Sequence, residues 1–477
     1  MPEVELKLEI APEDAEVLIA SDLLGASGES REQRSTYFDT DDRRLFKGGF
    51  SLRIRHLGKT RLQTVKAAAS TASLFSRGEW ERQVTSDVPI IEHGTPLQAV
   101  FGDIGQALTP IFEVDVARRV WNVVEGKSNI EVSLDLGDIL ADERRQRICE
   151  IELELKDGDP IDLFRLARRI VAIIPAKIGV RSKAERGYRL LEAASSAAKA
   201  EPTDLAPDMT AEAAFRRIAQ SCFRQFRLNE SVLLRRRSED ALHQARVALR
   251  RLRSALYLFK AHLGEDAGRF SSEFRWLAGL LGDVRNLDVL LAKVTEDEVR
   301  EKLLDAREKA CTVAVEALSS SRASALAMDF YEWIHCGPYR DEPALQLPAK
   351  EFARKALDKC RRKLKKHGRE LATVGDEDRH RVRKDAKKLR YASEFFQALF
   401  ASKRDGRRYK HFSDAMETVQ DHLGALNDLA SSLAVLRKHG LESVIAKAAG
   451  DQAGKRGLIR DAQAALDQLI ETKRFWR

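Results

Sequence analysis

Within residues 1–156, carboxylates and cationic side chains recur at every second position in several stretches. Glu3, Glu5, Lys7 and Glu9 alternate with Val4, Leu6, Leu8 and Ile10; Arg53 and Arg55 alternate in SLRIR, Glu79 and Glu81 in GEWER, and Glu150, Glu152 and Glu154 in CEIELELK. A period of two is that of a β-strand, so each set shares one face. Carboxylate oxygens are the ligands that hard cations such as Mg2+ and Mn2+ prefer. Arg binds phosphate oxygens by bidentate hydrogen bonds, and Lys66 on a neighbouring strand adds a point charge. Acidic faces on the first and last strands are complementary to the basic face between them. Two readings stay open: a solvated outer face, or a closed sheet with both sets around a polar lumen.

A second pattern lies further along. His243, Arg246, Arg250 and Arg253 fall at i, i+3, i+7 and i+10, which stacks them along one helix face. A shift of 137 positions brings them onto His380, Arg383, Lys387 and Arg390, and Phe215, Arg217 and Arg224 onto Phe352, Arg354 and Arg361. LGDVRNL (281–287) parallels LGALNDL (423–429), where Asn427 replaces Arg285. Two copies of one helical unit explain this. A basic face on a single helix is ordinarily just solvated. Here acidic residues are sparse within both stripes, and the stripe occurs twice, which points to a long anion. Aromatic content is 7%, and no RNP, helix-turn-helix or zinc signature stands out. Nucleic acid is therefore disfavoured, and a polyanion without bases fits better.

The elements that must position these residues divide the chain in two. The pattern predicts strands at Glu3–Ile10, Ser35–Asp39, Phe50–His56, Arg61–Ala67, Glu79–Val84, Ile111–Val116, Val120–Val124, Ile130–Leu136 and Arg147–Lys156. It predicts helices at Pro12–Leu24, Pro96–Ala107 and Ile161–Ile174. A small, polar, proline-containing stretch over 193–208 reads as a linker, and long amphipathic helices follow it. The expected domains are 1–195, a linker at 196–209 and a helical domain at 210–477, with copies at about 210–345 and 346–477. Charge divides likewise. Residues 1–195 carry 28 Lys/Arg against 33 Asp/Glu, and residues 196–477 carry 54 against 41, so the second part is the one that meets a polyanion.

Five scattered cysteines without a CxxC pair argue against a disulfide framework or a zinc finger, and for a reducing cytoplasm. No run of about 18–20 apolar residues suggests a membrane span, and no secretory signal is expected at the N-terminus. Gly58-Lys59-Thr60 ends like a phosphate-binding loop, but it sits between two strands and reads as a hairpin turn.

The residues resemble two known families. EVELK (3–7), YFDT (37–40), SLRIR (51–55), Lys66, Asp115, Arg118, Trp121, SLDLG (133–137), CEIELELK (149–156) and SKAERGY (182–188) follow the order of the CYTH domain, the bacterial branch of the triphosphate tunnel metalloenzymes. The helical part is similar to a CHAD domain, and the pair resembles bacterial inorganic triphosphatases. The resemblance implies an α+β protein, with an N-terminal eight-stranded antiparallel β-barrel tunnel before an all-α domain of two repeated helical bundles. It implies that Glu3, Glu5, Glu150 and Glu152 are catalytic and hold Mg2+ or Mn2+, with Asp135 a further ligand. Lys7, Arg53, Arg55, Lys66, Arg118 and Lys183 bind triphosphate in this reading, while the roles of Glu79, Glu81 and Glu154 stay open.

For the helical domain the resemblance implies polyphosphate binding by His243, Arg246, Arg250, Arg253, His380, Arg383, Lys387 and Arg390, extended by Arg217, Arg224, Arg354 and Arg361. The expected activity is metal-dependent hydrolysis of inorganic triphosphate to diphosphate and phosphate, by direct attack of water. The expected location is cytoplasmic, in association with polyphosphate granules. Two alternatives remain: a non-catalytic polyphosphate sensor, and a tunnel enzyme acting on thiamine triphosphate or a nucleotide. For a nucleotide base, Trp80, Tyr37 and Phe75 are the aromatic candidates, although core packing suits them better.

Overall fold

The computed structural model describes residues 3–25, 28–67, 76–91, 96–193, 195–438, 440–441 and 452–477. Residues 1–195 with Ala327–Cys336 form one compact unit, and Ser196–Leu326 with Gly337–Arg477 form the second. The first is built on an antiparallel sheet and the second is helical. Among the described residues, no helix is long and apolar enough to cross a membrane.

The sheet contains β1 (Glu3–Ile10), β2 (Glu29–Asp39), β3 (Phe50–Leu57), β4 (Thr60–Ala67), β5 (Ser76–Arg77), β6 (Glu79–Val84), β7 (Thr109–Glu125), β8 (Ser128–Ala141), β9 (Arg144–Asp157) and β10 (Ala176–Ile178). Its order is β10-β1-β9-β8-β7-β2-β3-β4-β6, with β5 paired to β1. This differs from the eight closed strands expected from the resemblance. The path is open in strand order, and residues 76–84 change edges at Gly78: β5 pairs with β1, and β6 pairs with β4.

Two predicted strands, Ile111–Val116 and Val120–Val124, are one strand, β7. Arg118 and Arg119 break its apolar alternation, but the ladder to β8 continues through Arg118↔Asp135. Strand β2 begins earlier than predicted. Its polar start ESREQR has no readable period, yet it pairs with β7 from Glu29↔Val120 onward. Between β3 and β4, Leu57 pairs with Thr60, and Gly58 has φ +60°, which confirms a hairpin turn at GKT.

Helix α1 (Pro12–Ile19) and short helices α2 (Arg44–Lys47) and α3 (Pro96–Phe101) flank the sheet, with α4 (Ile161–Ile173) and α5 (Lys183–Leu190) after β9. Helix α5 explains the SKAERGY motif residue by residue. The Ser182 hydroxyl accepts from the Glu185 N–H at 3.1 Å, and Glu185 accepts from the Ser182 N–H, so a reciprocal cap starts the helix. Tyr188 donates to Asp39 at 2.7 Å, and Asp39 also accepts from the N–H groups of Leu45 and Phe46, which ties YFDT to α2 and α5. Gly187 lets α5 lie on β7, because a Cβ there would fall 2.2 Å from the Phe112 ring.

The second unit contains α6 (Ala211–Arg236), α7 (Glu239–Phe259), α8 (Asp266–Leu291), α9 (Asp297–Ser319) and the start of α10 (Ser321–Cys336). After these come α11 (Ala349–His367), α12 (Asp376–Phe396), α13 (Lys403–Lys438) and α14 (Gln452–Glu471). Equivalent helices of the repeat meet each other: α6 packs on α11, and α7 on α12. Phe259 stacks on Phe352 at 4.1 Å in that core.

Replacing Gly187 by Ala should destabilise the protein by about 1–3 kcal/mol, because overpacking against Phe112 outweighs the gain in helix propensity. Gly279→Ala in α8, where a Cβ meets open space, should instead stabilise by about 0.5–1 kcal/mol. Thermal unfolding of the two variants should therefore shift in opposite directions.

Candidate functional site

The side chains that alternate along the strands converge on one cavity of about 240 Å3. Glu5 and Lys7 of β1, Tyr37 of β2, Arg53 and Arg55 of β3, Lys66 of β4, Glu79 and Glu81 of β6, Arg118 of β7, and Glu152 and Glu154 of β9 line it. Lys183 at the start of α5 also lines it. Register explains the convergence: Lys7 lies opposite Glu152, Glu9 opposite Glu150, and Glu150 opposite Asp135. Side chains directly opposite across a ladder point to the same face. Of the pair Glu3 and Glu5, Glu3 pairs in β1 opposite Arg77, and its side chain lies outside the described residues.

Two electrostatic zones share the cavity. In the first, carboxylates are buried together with cations. The Lys183 ammonium lies 2.6 Å from Asp135, 2.5 Å from Glu150 and 2.8 Å from Glu152. Arg118 donates to both oxygens of Asp135 and, at 2.6 Å, to Glu152. Lys7 bridges Glu5 and Glu152, and Arg186 bridges Glu150 and Glu9. Burial alone would raise the carboxyl pKa values. Lys183, aided by Arg118 at Asp135, by Arg186 at Glu150 and by Lys7 at Glu152, outweighs it and holds all three below the usual range. Burial would likewise lower the Lys183 pKa, but the three carboxylates hold it above the usual lysine value.

In the second zone, around Arg53, Arg55 and Lys66, fewer carboxylates face the cations. Arg53 and Arg55 form no salt bridge among the described residues. Arg53 donates to the Tyr37 hydroxyl at 3.4 Å. Burial, then Arg53 and Arg118, pull the Arg55 pKa down to about 9. Lys66 is partly neutralised by Glu79 at 3.1 Å. Arg53 and Arg55, buried in a concave site without a carboxylate ion pair among the described residues, suit an anion.

Oxygens of Asp135, Glu150 and Glu152 lie within 4.8 Å of one another. A compact set of carboxylate oxygens is the donor chemistry that Mg2+ and Mn2+ take, so these residues fit a hard divalent ion. Asp135 and Glu150 are fully buried and do not line the cavity, unlike Glu5 and Glu152.

The alternation also extends to residues that sequence reasoning passed over. Arg31, Ser51, Thr64, Glu131, Ser133, Lys156 and Ser182 line the same cavity. Glu131 and Lys156 share parity with Asp135 and Glu154, so following the period two residues further would have found them. Among the base-pocket candidates, Tyr37 stacks on Phe112 at 4.5 Å beneath Arg53, Trp80 is not a lining residue, and Phe75 lies outside the described residues.

In the helical unit, the stripes of α7 and α12 face each other. Arg246, Arg250, Arg383 and Lys387 repel one another, and none has an ion pair among the described residues. Burial, then Arg250 and Arg285, bring the Arg246 pKa down to about 10; burial, then Arg383, Arg250 and Arg246, bring Lys387 to about 7. Arg253 lies near Arg275, and both burial and that neighbour lower its pKa. His243 faces Arg285, whereas in the second copy His380 hydrogen-bonds Asn427 at 2.9 Å. Arg390 is occupied by Glu394 at 2.6 Å and Gln420 at 2.9 Å.

The other repeated arginines do something different from the extension of the stripe expected of them. Arg217 donates to the Asp204 carbonyl at 2.8 Å, and Arg224 pairs with Glu201 at 3.2 Å. Arg354 donates to the Trp476 carbonyl at 3.2 Å, and Arg361 to that of Ile470. Each copy thus uses its pair to hold a segment of chain.

Residues 1–188 match the CYTH domain and residues 217–437 the CHAD domain, so the chain carries one after the other. It is 34% identical over 202 residues to an inorganic triphosphatase of Haemophilus influenzae, a match covering 40% of this chain. The chain spans only 55% of that relative. An uncharacterized protein of Mycobacterium tuberculosis is 27% identical over 398 residues, covering 77% of this chain and 70% of the relative. Among solved structures, the CHAD domain from the plant Ricinus communis superposes with a TM-score of 0.51 at 27% identity, covering 57% of this chain and 96% of that one.

Removing Arg118 leaves Asp135 and Glu152 short of a buried counter-charge. Arg118→Met should lower stability by about 3–5 kcal/mol, and chemical denaturation in metal-free buffer checks this.

Proposed function

We propose that the first unit is a metal-dependent triphosphatase that cleaves inorganic triphosphate to diphosphate and phosphate, and that the helical unit binds polyphosphate. The observation that carries the first part is the divided cavity: clustered carboxylates on β1, β8 and β9 share it with Arg53 and Arg55 on β3, which form no ion pair among the described residues. In this reading the sheet forms a tunnel, with residues 76–84 bridging β1 and β4.

Arg53, Arg55 and Lys66 bind the equatorial oxygens of the phosphoryl groups, and Lys7 and Arg118 orient the chain beside Glu152. Glu3, Glu5, Asp135, Glu150 and Glu152 would hold a divalent Mg2+ or Mn2+, which would supply charge neutralisation and an activated water. His56 sits at the end of β3 against Asp87 at 2.7 Å and does not line the cavity, which leaves it poorly placed to activate a side-chain nucleophile there. Direct attack by water is the economical route. A cytoplasmic location near polyphosphate granules suits such a protein.

Phosphate release from inorganic triphosphate, with ATP and thiamine triphosphate as competitors, tests the first part. Release should need Mg2+ or Mn2+, prefer inorganic triphosphate, and fall by about 100-fold or more in Glu5→Gln. Preference for an organic triphosphate would move the reading to that substrate class. No release from folded protein would leave a non-catalytic polyphosphate binder.

The stripe carries a pH prediction. Lys387 faces Arg383, Arg250, Arg246 and Asp428; burial and the three cations outweigh Asp428 and bring its pKa down to about 7. A polyanion binds the charged form, so above that pH binding must take up a proton. Affinity for polyphosphate at fixed ionic strength should fall by up to about tenfold per pH unit above 7. Lys387→Met should flatten that slope and Lys387→Arg should remove it while keeping tight binding, as calorimetry at pH 6.5 and 8.5 would show, about half a unit below and 1.5 above the midpoint.

A further inference from the structure

We propose that the Lys183 ammonium and a divalent cation exchange for the same carboxylates, so that metal loading frees Lys183 to bind the anion. The inference rests on the triphosphatase reading and deepens it. The Lys183 Nζ contacts Asp135 Oδ2, Glu150 Oε1 and Glu152 Oε1 at 2.6, 2.5 and 2.8 Å. These three residues are the set whose oxygens converge within 4.8 Å. A divalent ion would need the carboxylate oxygens that the ammonium occupies, and the two cations would repel each other at that distance, so one must leave.

Lys183 is the group able to leave. Arg118 holds Asp135 through two hydrogen bonds and Arg186 bridges Glu150 and Glu9, whereas Lys183 is a point charge on a flexible stem. It is the first residue of α5, and its cap is made by Ser182 and Glu185 without it. Its side chain can therefore swing while the helix stays in place. Lys183 also lines the cavity, which gives the ammonium a path toward Arg53 and Arg55.

The consequence is coupling. Metal entry breaks three ion pairs, a cost offset once a triphosphate accepts the released ammonium. Metal and triphosphate thus bind cooperatively, each tightening the other by the same factor.

The test measures Mn2+ binding to the full-length protein by the electron paramagnetic resonance of free Mn2+, with and without the imido analogue of triphosphate. In the wild type, the analogue should tighten Mn2+ binding by about tenfold. Lys183→Met should tighten Mn2+ binding alone by about tenfold and abolish the effect of the analogue. Arg186→Met is the control for a general field effect, since Arg186 is also a buried cation on Glu150, at 2.9 Å, and it should gain less than about threefold. Equal gains in both variants, or no gain in Lys183→Met, would overturn the exchange. Should Lys183→Met fail to fold without metal, refolding on addition of Mn2+ supports the proposal and failure to refold overturns it. Loss of the triphosphatase reading would leave the Mn2+-only measurements in force, so the two can fail separately.

Discussion

Asp135, Glu150 and Glu152 can be buried side by side only because Lys183, Arg118, Lys7 and Arg186 are buried with them. Isolated carboxylates in such a place would take up protons or unfold the sheet. The requirement for counter-charge reaches outward through the first unit. It sets the register of β7, β8 and β9, because Arg118 must lie opposite Asp135 and Glu150 must share that row. It also fixes α5, whose first residue delivers Lys183 and whose fourth delivers Arg186. The cap at Ser182, the bare backbone at Gly187 and the Tyr188–Asp39 hydrogen bond then read as the means of holding that helix at the required depth.

The part of this arrangement carried by local period was readable from the sequence. Glu5, Lys7, Arg53, Arg55, Lys66, Arg118, Glu152 and Lys183 meet in one cavity, as strand alternation and motif order suggested. What stayed hidden depends on distant partners. Strand β2 begins in a run with no apolar period, which β7 alone draws into the sheet. Strands β5 and β10 are too short to show a period, and their pairing to β1 is tertiary. The period of β7 is interrupted by Arg118, the residue that makes the strand useful.

The helical repeat shows a different limit. Equality of residues under a shift of 137 identifies positions that do the same thing in both copies, but not what they do. His243 and His380 both sit on a basic stripe, although one faces Arg285 and the other Asn427. Arg217, Arg224, Arg354 and Arg361 look from sequence like more of that stripe. In the fold they bind main-chain carbonyls and Glu201, because α6 and α11 turn that face toward the segments at 201–204 and 470–476. A cation at a repeated position is as good a partner for a peptide carbonyl as for a phosphate, and only packing decides between them.

The two units therefore handle buried positive charge in opposite ways. Around Asp135, Glu150 and Glu152 in the sheet, cations are matched by carboxylates, and Lys183 and Arg118 are held more firmly protonated than in water. Between α7 and α12 Arg246, Arg250, Arg383 and Lys387 have no ion pair among the described residues, and burial, then repulsion by Arg383, Arg250 and Arg246, brings Lys387 to about 7. A matched cluster offsets the desolvation of its own charges, whereas an unmatched cluster opposes its own fold and is relieved by an added anion. Folding alone gives no reason to place like charges face to face on two equivalent helices. Their presence in both copies is the physical basis of the polyanion binding proposed for the helical unit.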